Sequence, residues 1–283
     1  MEVYIEDKHF DLTHPDKLIW DQGQISKADV LYYYQSVAPL MLPFLQGRRL
    51  TFRRYPHGAT ATGFYQRHLY EAPQWLQVRE DGTPLVNNKA DLAYLNQLGI
   101  LEFHAPNHKA YDDAYLDWAV IDLDPMPPAG FAQTRQVAFM IKEILDHVHL
   151  AHYLKLSGAT GLHIYIPLQP KTKRDMVIYR LKSMYQWLVH RFPEHVSMEP
   201  RIKNRQGIFL DVHQNSKAKS MIAPYSLRAG DRPTVSAPIT WGELQSLLPE
   251  DLTLKVVLER IGFEDLWHSF FLNPQNLERL RGF

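Results

Sequence analysis

Apolar residues along this chain follow two kinds of spacing, one typical of helices and one typical of strands. Between residues 131 and 150 they recur every three or four positions, which predicts an amphipathic helix, and residues 174–192 repeat that pattern. Short apolar or alternating runs predict strands at 48–56, 118–125, 152–158, 161–168 and 207–215. Strands and helices alternate along the chain, so the predicted fold class is α+β, or mixed α/β. The spacing leaves the strand directions open.

Local signals predict where several helices begin and end. Ser26 and Asp29 have the spacing of a capping box, which predicts that a helix begins there. The apolar and aromatic segment that follows carries Pro39 and Pro43, and we expect these prolines to interrupt it. Residues 240–243 predict the cap of a last helix.

Composition excludes several kinds of site. Of the 283 residues, 45% are hydrophobic and 22% are charged, which is ordinary for a globular protein, and the formal net charge is zero. The absence of cysteine excludes disulfides, thiolate zinc sites and a cysteine nucleophile, so any metal must bind oxygen or imidazole ligands. The polar N-terminus does not resemble a signal peptide, and no apolar run has the length of a membrane span. We therefore expect a cytoplasmic protein without a membrane partner.

Two aspartates end the predicted strand at 118–125. Residues two apart on a strand face the same side, with about 6.6 Å between their Cα atoms, so Asp122 and Asp124 can converge on one divalent cation or on a pair of them. Pro125 cannot continue a central strand, which places the pair at the strand end. A polar strand terminus before a proline-rich turn is the simpler explanation of the pair taken alone.

Asp211 is a lone acid that follows the apolar run 208–210. An unpaired carboxylate is costly to bury, so it needs a partner, and a metal shared with Asp122 and Asp124 would supply one. A surface acid at a strand end explains Asp211 equally well.

Other segments are suited to phosphates and bases. The turn at 157–161 can present backbone N–H groups to a phosphate, and His163 follows it on a strand, where a hydrogen-bonded core histidine is the better explanation of that residue alone. Phe64 and Tyr65 are able to stack on bases, although core packing is the commoner role of such a pair. Small basic clusters flank these segments at Arg53, Arg54, Arg201, Lys203, Arg205, Lys217, Lys219 and Arg228.

A set of short motifs runs in order through nearly the whole chain. They are HPDKL at 14–18, SKADVLYYY at 26–34, FRRYPHG at 52–58, FYQRH at 64–68, EFH at 102–104, DLDP at 122–125, SGATGLHIYIPL at 157–168, FLDVHQN at 209–215 and APYSLR at 223–228. In these motifs the chain resembles the polymerase domain of bacterial ligase D, in the archaeo-eukaryotic primase superfamily. The chain has no room for ligase or nuclease domains, so we expect a stand-alone form or an excised domain.

The resemblance implies a fold and a set of site residues. The implied fold is a primase-like domain over 1–283, with central β-sheets and an RRM-like catalytic core flanked by helices. Its subregions are about 1–100 for DNA and nucleotide contacts, about 101–245 for the catalytic core and about 240–283 for C-terminal helices. The implied catalytic residues are Asp122, Asp124 and Asp211, which hold two divalent cations, together with His104. The implied nucleotide-binding residues are Arg53, Arg54, Ser157, His163, Gln214 and Arg228. The implied DNA-binding residues are Lys17, Lys27, Phe64 and Tyr65.

The activity implied by the resemblance is DNA-dependent nucleotidyl transfer to a primer 3′-hydroxyl. The resemblance further implies a preference for ribonucleotides, manganese or magnesium as cofactor, and a role in gap filling or end processing during non-homologous end joining. Implied partners are gapped or broken DNA, nucleoside triphosphates, Ku and an ATP-dependent DNA ligase, with a monomer located at the nucleoid. His14 and Thr160 depart from the family pattern, which often has asparagine and a basic residue there. A primer-independent primase and a DNA-end-binding module without catalysis are the alternatives.

Overall fold

The computed structural model describes residues 1–263 and 265–283. The strands are β1 (Glu2–Ile5), β2 (Lys8–Asp11), β3 (Leu18–Trp20), β4 (Ile25–Ser26), β5 (Thr51–Arg54), β6 (Phe64–Gln66), β7 (Ile100–Ala105), β8 (Tyr115–Pro125), β9 (Tyr153–Leu156), β10 (Leu162–Lys173), β11 (Val196–Ser197), β12 (Ile208–Leu210), β13 (Met221–Ile222), β14 (Ser226–Arg228), β15 (Thr234–Ser236) and β16 (Pro238–Ile239). The α-helices are α1 (Lys27–Leu45), α2 (Lys89–Gln97), α3 (Phe131–His147), α4 (Arg174–Arg191) and α5 (Leu254–Ile261). Short 3₁₀ helices cover Ile202–Asn204, Glu243–Gln245 and Leu277–Gly282.

The chain forms two compact units. Unit 1 consists of Met1–Pro106, Ser220–Ala237 and Glu250–Asp265. Unit 2 consists of Asn107–Lys219, Pro238–Pro249 and Leu266–Phe283. A single domain over 1–283 stays a prediction.

Unit 2 is built on a six-stranded sheet in the order β11-β12-β8-β10-β9-β16. Its neighbouring strands pair antiparallel, except that β11 and β12 run parallel. The central strand β8 buries Ala119, Ile121 and Leu123 completely, and α3 and α4 pack against β8 and β10. The continuous apolar run that predicted this strand is therefore explained by burial in the middle of the sheet.

Unit 1 contains a four-stranded sheet in the order β13-β7-β5-β6, and α1 packs against α2 and α5. The predicted capping box is confirmed, since Asp29 N donates to Ser26 Oγ at 3.2 Å and Ser26 N donates to Asp29 Oδ2 at 2.8 Å. The predicted interruption of α1 is wrong, because the helix continues through both prolines. Pro39 is exposed and Pro43 is half-buried, so both prolines lie on the outer face of α1. The opposite face of the helix packs in the core.

The predicted helix starts and most predicted strands are confirmed, but the strand predicted at 207–215 covers only Ile208–Leu210, and the prediction near the C-terminal end is wrong. Thr240 and Glu243 do form reciprocal capping contacts, but they cap only a 3₁₀ turn, and the last α-helix is α5. Among the described residues, no helix is long and apolar enough to cross a membrane.

Candidate active site

Three carboxylates meet at one edge of the unit 2 sheet. Asp122 and Asp124 lie two residues apart at the end of β8 and therefore share a face. Strand β12 pairs with β8 so that Leu210 lies opposite Leu123, and the next residue, Asp211, is close enough for its charge to act on Asp122. The three aspartates predicted as one cluster are thus brought together by the antiparallel register of β8 and β12.

The electrostatics of the cluster are unfavourable for three free charges. Burial raises the pKa of Asp122 well above its ordinary range, and the charges of Asp124 and Asp211 raise it further, while Lys155 and Lys219 oppose the rise. Asp122 Oδ1 is buried and accepts no hydrogen bond from the described residues, although His163 Nε2 lies 3.3 Å from it. A cation at this cluster would offset the repulsion between the carboxylates. It would also give Asp122 Oδ1 a positively charged partner.

The donor set fits a hard divalent cation, since carboxylate oxygens are the ligands that magnesium and manganese prefer. Within the described part of the chain, however, no three acidic or histidine side chains already surround a common point. Asp211 has partners of its own, since its Oδ2 lies 3.1 Å from Lys219 Nζ and its Oδ1 accepts from His213 N at 2.9 Å. The chemistry of the cluster fits the cation, while one carboxylate is paired with a lysine.

A buried asparagine that the motif analysis did not single out fixes the loop after Asp211. Asn215 Nδ2 donates to Val120 O at 2.8 Å, and Asn215 Oδ1 accepts from Val120 N at 2.9 Å. Asn107 Nδ2 donates to the same Oδ1 at 2.9 Å. The loop is therefore tied to β8 two residues before Asp122. Gln214, predicted to bind nucleotide, lies half-buried in this loop.

The predicted phosphate turn lies between β9 and β10. Ser157 Oγ accepts hydrogen bonds from Ala159 N at 3.1 Å and Gly161 N at 3.0 Å, so these two N–H groups are used inside the turn. Ser157 is buried, and its contact with a phosphate stays a prediction. A side chain at Gly161 would have its Cβ 2.8 Å from Leu123 O and 2.9 Å from Asp124 Oδ1. Glycine at this position therefore allows the turn to pack directly against the acidic cluster.

His163 and Lys155 continue the acidic row across the sheet. His163 pairs with Asp122 in the register of β10 and β8, and Lys155 pairs with His163 in the register of β9 and β10. Both side chains are buried. The motifs did not predict a role for Lys155, because a lysine on a strand normally faces solvent. Its spacing of two residues from Ser157, which places both on one face, was the signal that could have indicated it.

A second group of predicted residues lies in unit 1 around Glu102, which is only 1% exposed. Glu102 Oε2 contacts His104 Nε2 at 3.1 Å and an Arg228 nitrogen at 3.2 Å, and an Arg53 nitrogen lies 3.7 Å from Oε1. Tyr55 donates to Oε1 at 3.0 Å.

The pKa of Glu102 reflects this environment. Burial raises the pKa, but the hydrogen bond from His104 and the charges of Arg228 and His104 outweigh burial and lower it to about 2. Glu102 is therefore ionised and contacts three residues that the motifs predicted, His104, Arg53 and Arg228. The sequence did not predict a role for Glu102 itself, although it lies in the EFH motif.

Phe64 and Tyr65 lie on the edge strand β6 and are 48% and 66% exposed, which excludes the core-packing alternative. The guanidinium of Arg54 lies 5.6 Å from the Phe64 ring centre, and that of Arg53 lies 5.4 Å from the Tyr65 ring centre. Consecutive strand residues face opposite sides, so each face of this edge offers one ring beside one arginine. Such pairs are suited to stacking on bases.

The predicted 5′-phosphate lysines also lie in unit 1. Lys27 Nζ donates to Thr13 O at 2.8 Å and to Gln97 Oε1 at 3.0 Å, and Lys17 Nζ donates to Pro56 O. Burial lowers the pKa of Lys27, and the nearby charge of Lys17 lowers it further. Thr13 O, Gln97 Oε1 and Pro56 O are all uncharged acceptors. The positive charges of Lys17 and Lys27 are therefore suited to binding an anion.

Comparisons with known proteins show which family the chain resembles. The family model for the LigD primase-polymerase domain matches residues 26–267. The multifunctional non-homologous end joining protein LigD of Mycolicibacterium smegmatis is 34% identical over 262 residues, which cover 88% of this chain and 34% of that protein. The bifunctional non-homologous end joining protein LigD of Bacillus subtilis is 35% identical over 275 residues, which cover 93% of this chain and 44% of that protein. The chain thus spans less than half the length of these curated relatives.

Among solved structures, the polymerase domain of Mycobacterium tuberculosis ligase D in complex with DNA superposes with a TM-score of 0.84 at 31% identity. The superposition covers 94% of this chain and 99% of that one. The expected fold is thereby confirmed as mixed α/β and primase-like. The chain belongs to the family of LigD primase-polymerase domains, which are nucleotidyltransferases.

Proposed function

We propose that this chain adds nucleotides to the 3′-hydroxyl of a DNA primer, filling gaps or processing ends during non-homologous end joining. The observation that carries the proposal is the convergence of Asp122, Asp124 and Asp211 on one face at the ends of β8 and β12. Burial, and then the neighbouring carboxylates, raise the pKa of Asp122, so a cation would stabilise the ionised cluster, and cation-assisted nucleotidyl transfer is the reaction of the family.

The catalytic cluster acts by positioning and charge. When bound, two divalent cations, magnesium or manganese, would activate the primer hydroxyl and neutralise the triphosphate. Asp122 is fixed by its place on β8 between the fully buried Ile121 and Leu123, and Asp211 is fixed by the loop that Asn215 ties to β8. His163 and Ser157 lie beside the cluster in unit 2 and are proposed to contact the phosphates. Rigid elements hold these groups, which favours catalysis by preorganisation.

The residues of unit 1 are proposed to bind nucleotide and DNA. Arg53, Arg54 and Arg228 supply cations for the nucleotide, and the ionised Glu102 fixes Arg53, Arg228 and His104. Residues proposed to contact DNA are Lys17 and Lys27 at a 5′-phosphate and Phe64 and Tyr65 at template bases.

Several finer statements belong to the same proposal. We propose a preference for ribonucleotides, association with Ku and an ATP-dependent DNA ligase, and a monomer that works at the nucleoid in the cytoplasm. These statements rest on the family resemblance, and the names of the relatives support the setting of non-homologous end joining alone.

The test is primer extension on a gapped duplex that carries a 5′-phosphate, with manganese, magnesium or a chelator, and with ribo- or deoxynucleotides. We expect cation-dependent addition of nucleotides, faster with ribonucleotides. Binding of DNA ends without incorporation under any condition would favour a DNA-end-binding module. Dinucleotide synthesis on a single-stranded template without primer would favour a primase.

A further inference from the structure

Lys155 is a lysine with no solvent exposure in the middle of unit 2. It lies on β9, which is flanked by β10 on one side and β16 on the other. A buried ammonium group is costly unless a negative charge compensates it. The position of Lys155 therefore requires an anionic group nearby.

The sheet register points toward the acidic cluster. Lys155 lies opposite His163, and His163 lies opposite Asp122, so the three residues form one row across β9, β10 and β8 on the same face. His163 Nε2 lies 3.3 Å from Asp122 Oδ1. The row therefore ends in the acidic cluster.

An aromatic ring borders Lys155 on the same face. Lys155 Nζ lies 5.6 Å from the ring centre of Tyr165, which is itself buried and stacked on Trp118 with ring centres 6.1 Å apart. A ring in this position attracts the cation while excluding water from it. Lys155 thus borders an aromatic cluster and shares a sheet face with Asp122.

The two lysines beside the cluster differ in exposure. Lys219 pairs with Asp211 at 3.1 Å, and 47% of its side chain is exposed, so it can exchange with solvent ions. Lys155 is sealed in the sheet and cannot leave. Its charge is consequently a permanent part of the site.

We propose that Lys155 is the internal counter-ion of the acidic cluster, a positioning residue that keeps Asp122 and its neighbours together before a divalent cation binds. Because two positive charges repel each other, Lys155 also weakens the binding of that cation. The proposal rests on the proposed function in one respect only, that Asp122, Asp124 and Asp211 are the cation ligands.

The first test is a double-mutant cycle in EDTA with Lys155→Met, Asp122→Asn and the double variant, followed by urea unfolding. We expect Lys155→Met to lower the urea midpoint and Asp122→Asn to recover roughly half of that loss, because the unbalanced charge is then removed. If Lys155→Met does not fold, the double variant should fold. Additive effects, or a double variant that also fails to fold, would overturn the proposal.

The second test measures Mn²⁺ affinity by electron paramagnetic resonance of the free ion. Lys155→Met should bind Mn²⁺ roughly tenfold more tightly than the wild type, and Lys155→Arg should resemble the wild type. Lys142→Met is the matched control, since Lys142 pairs with Asp146 at 2.5 Å and lies 5.8 Å from the Trp241 ring, but on α3. A folded Lys155→Met variant with unchanged Mn²⁺ affinity would contradict the proposal. If the wild type binds no Mn²⁺, the cation assignment fails, and the cycle in EDTA alone decides the role of Lys155.

Discussion

Replacing Glu102 with glutamine tests how much the buried negative charge of Glu102 stabilises unit 1. Glutamine keeps the shape of the side chain and approximates a protonated glutamate, so the substitution removes mainly the negative charge. That charge faces His104 and Arg228 on Oε2 and Arg53 on Oε1. The variant would leave three cationic or polar groups without their shared counter-charge.

The size of the effect follows from the pKa of Glu102. Its ordinary value is 4.5, and the folded protein lowers it to about 2. This difference corresponds to about 3 kcal/mol of stability at neutral pH. Because the folded pKa is the lower one, the contribution is fully present above pH 4.5 and is lost as the pH falls toward about 2.

The measurement is urea unfolding of the wild type and Glu102→Gln, followed by circular dichroism, at pH 7 and pH 3. We expect the variant to be less stable by about 3 kcal/mol at pH 7, and the difference to shrink to about 1 kcal/mol at pH 3. Glu80→Gln, at an exposed position of the same unit, should change stability little at either pH. Equal stability of the wild type and Glu102→Gln at pH 7, or a difference that does not vary with pH, would refute the reasoning.

Two further substitutions test the site at single positions. Gly161→Ala would bring a Cβ within 3.0 Å of Leu123 O and Asp124 Oδ1, so we expect a loss of about 1–3 kcal/mol in unfolding free energy and slower nucleotide addition. Gly130→Ala, whose nearest neighbour would lie 3.9 Å away, should leave nucleotide addition unchanged, and equal behaviour of the two variants would argue against the close packing. Lys27→Ala should weaken binding to gapped DNA only when the 5′-phosphate is present, as measured by fluorescence anisotropy. Equal loss with and without that phosphate would remove Lys27 from the proposed contact.

Periodicity and local signals predicted most of the secondary structure because the buried faces are regular. The run before Asp122 is a central strand, and the helices α3 and α4 follow their apolar spacing. The failure at α1 has a physical cause. Helix propensity is a local quantity, while burial of the inner face of α1 depends on the rest of unit 1, and it outweighs the cost of Pro39 and Pro43.

The acidic cluster was predictable only in part. Spacing of two placed Asp122 and Asp124 on one face, but Asp211 lies 87 residues further along, and only the pairing of β12 with β8 brings it to them. Motif matching singled out these aspartates and the arginines around Glu102. Lys155, Glu102 and Asn215 were missed, because their importance lies in burial and in partners that are distant in sequence.

The most direct test of the account is the rate of single-nucleotide addition to a gapped duplex by Asp211→Asn and Asp122→Asn at saturating Mn²⁺. Asp117→Asn, on the same strand as Asp122, is the control for a lost carboxylate. We expect a loss of about 100-fold or more for the first two variants, with an unchanged unfolding midpoint for Asp211→Asn, and near wild-type rates for the control. Wild-type addition by a folded Asp211→Asn variant would contradict the assignment of the cluster as the catalytic centre.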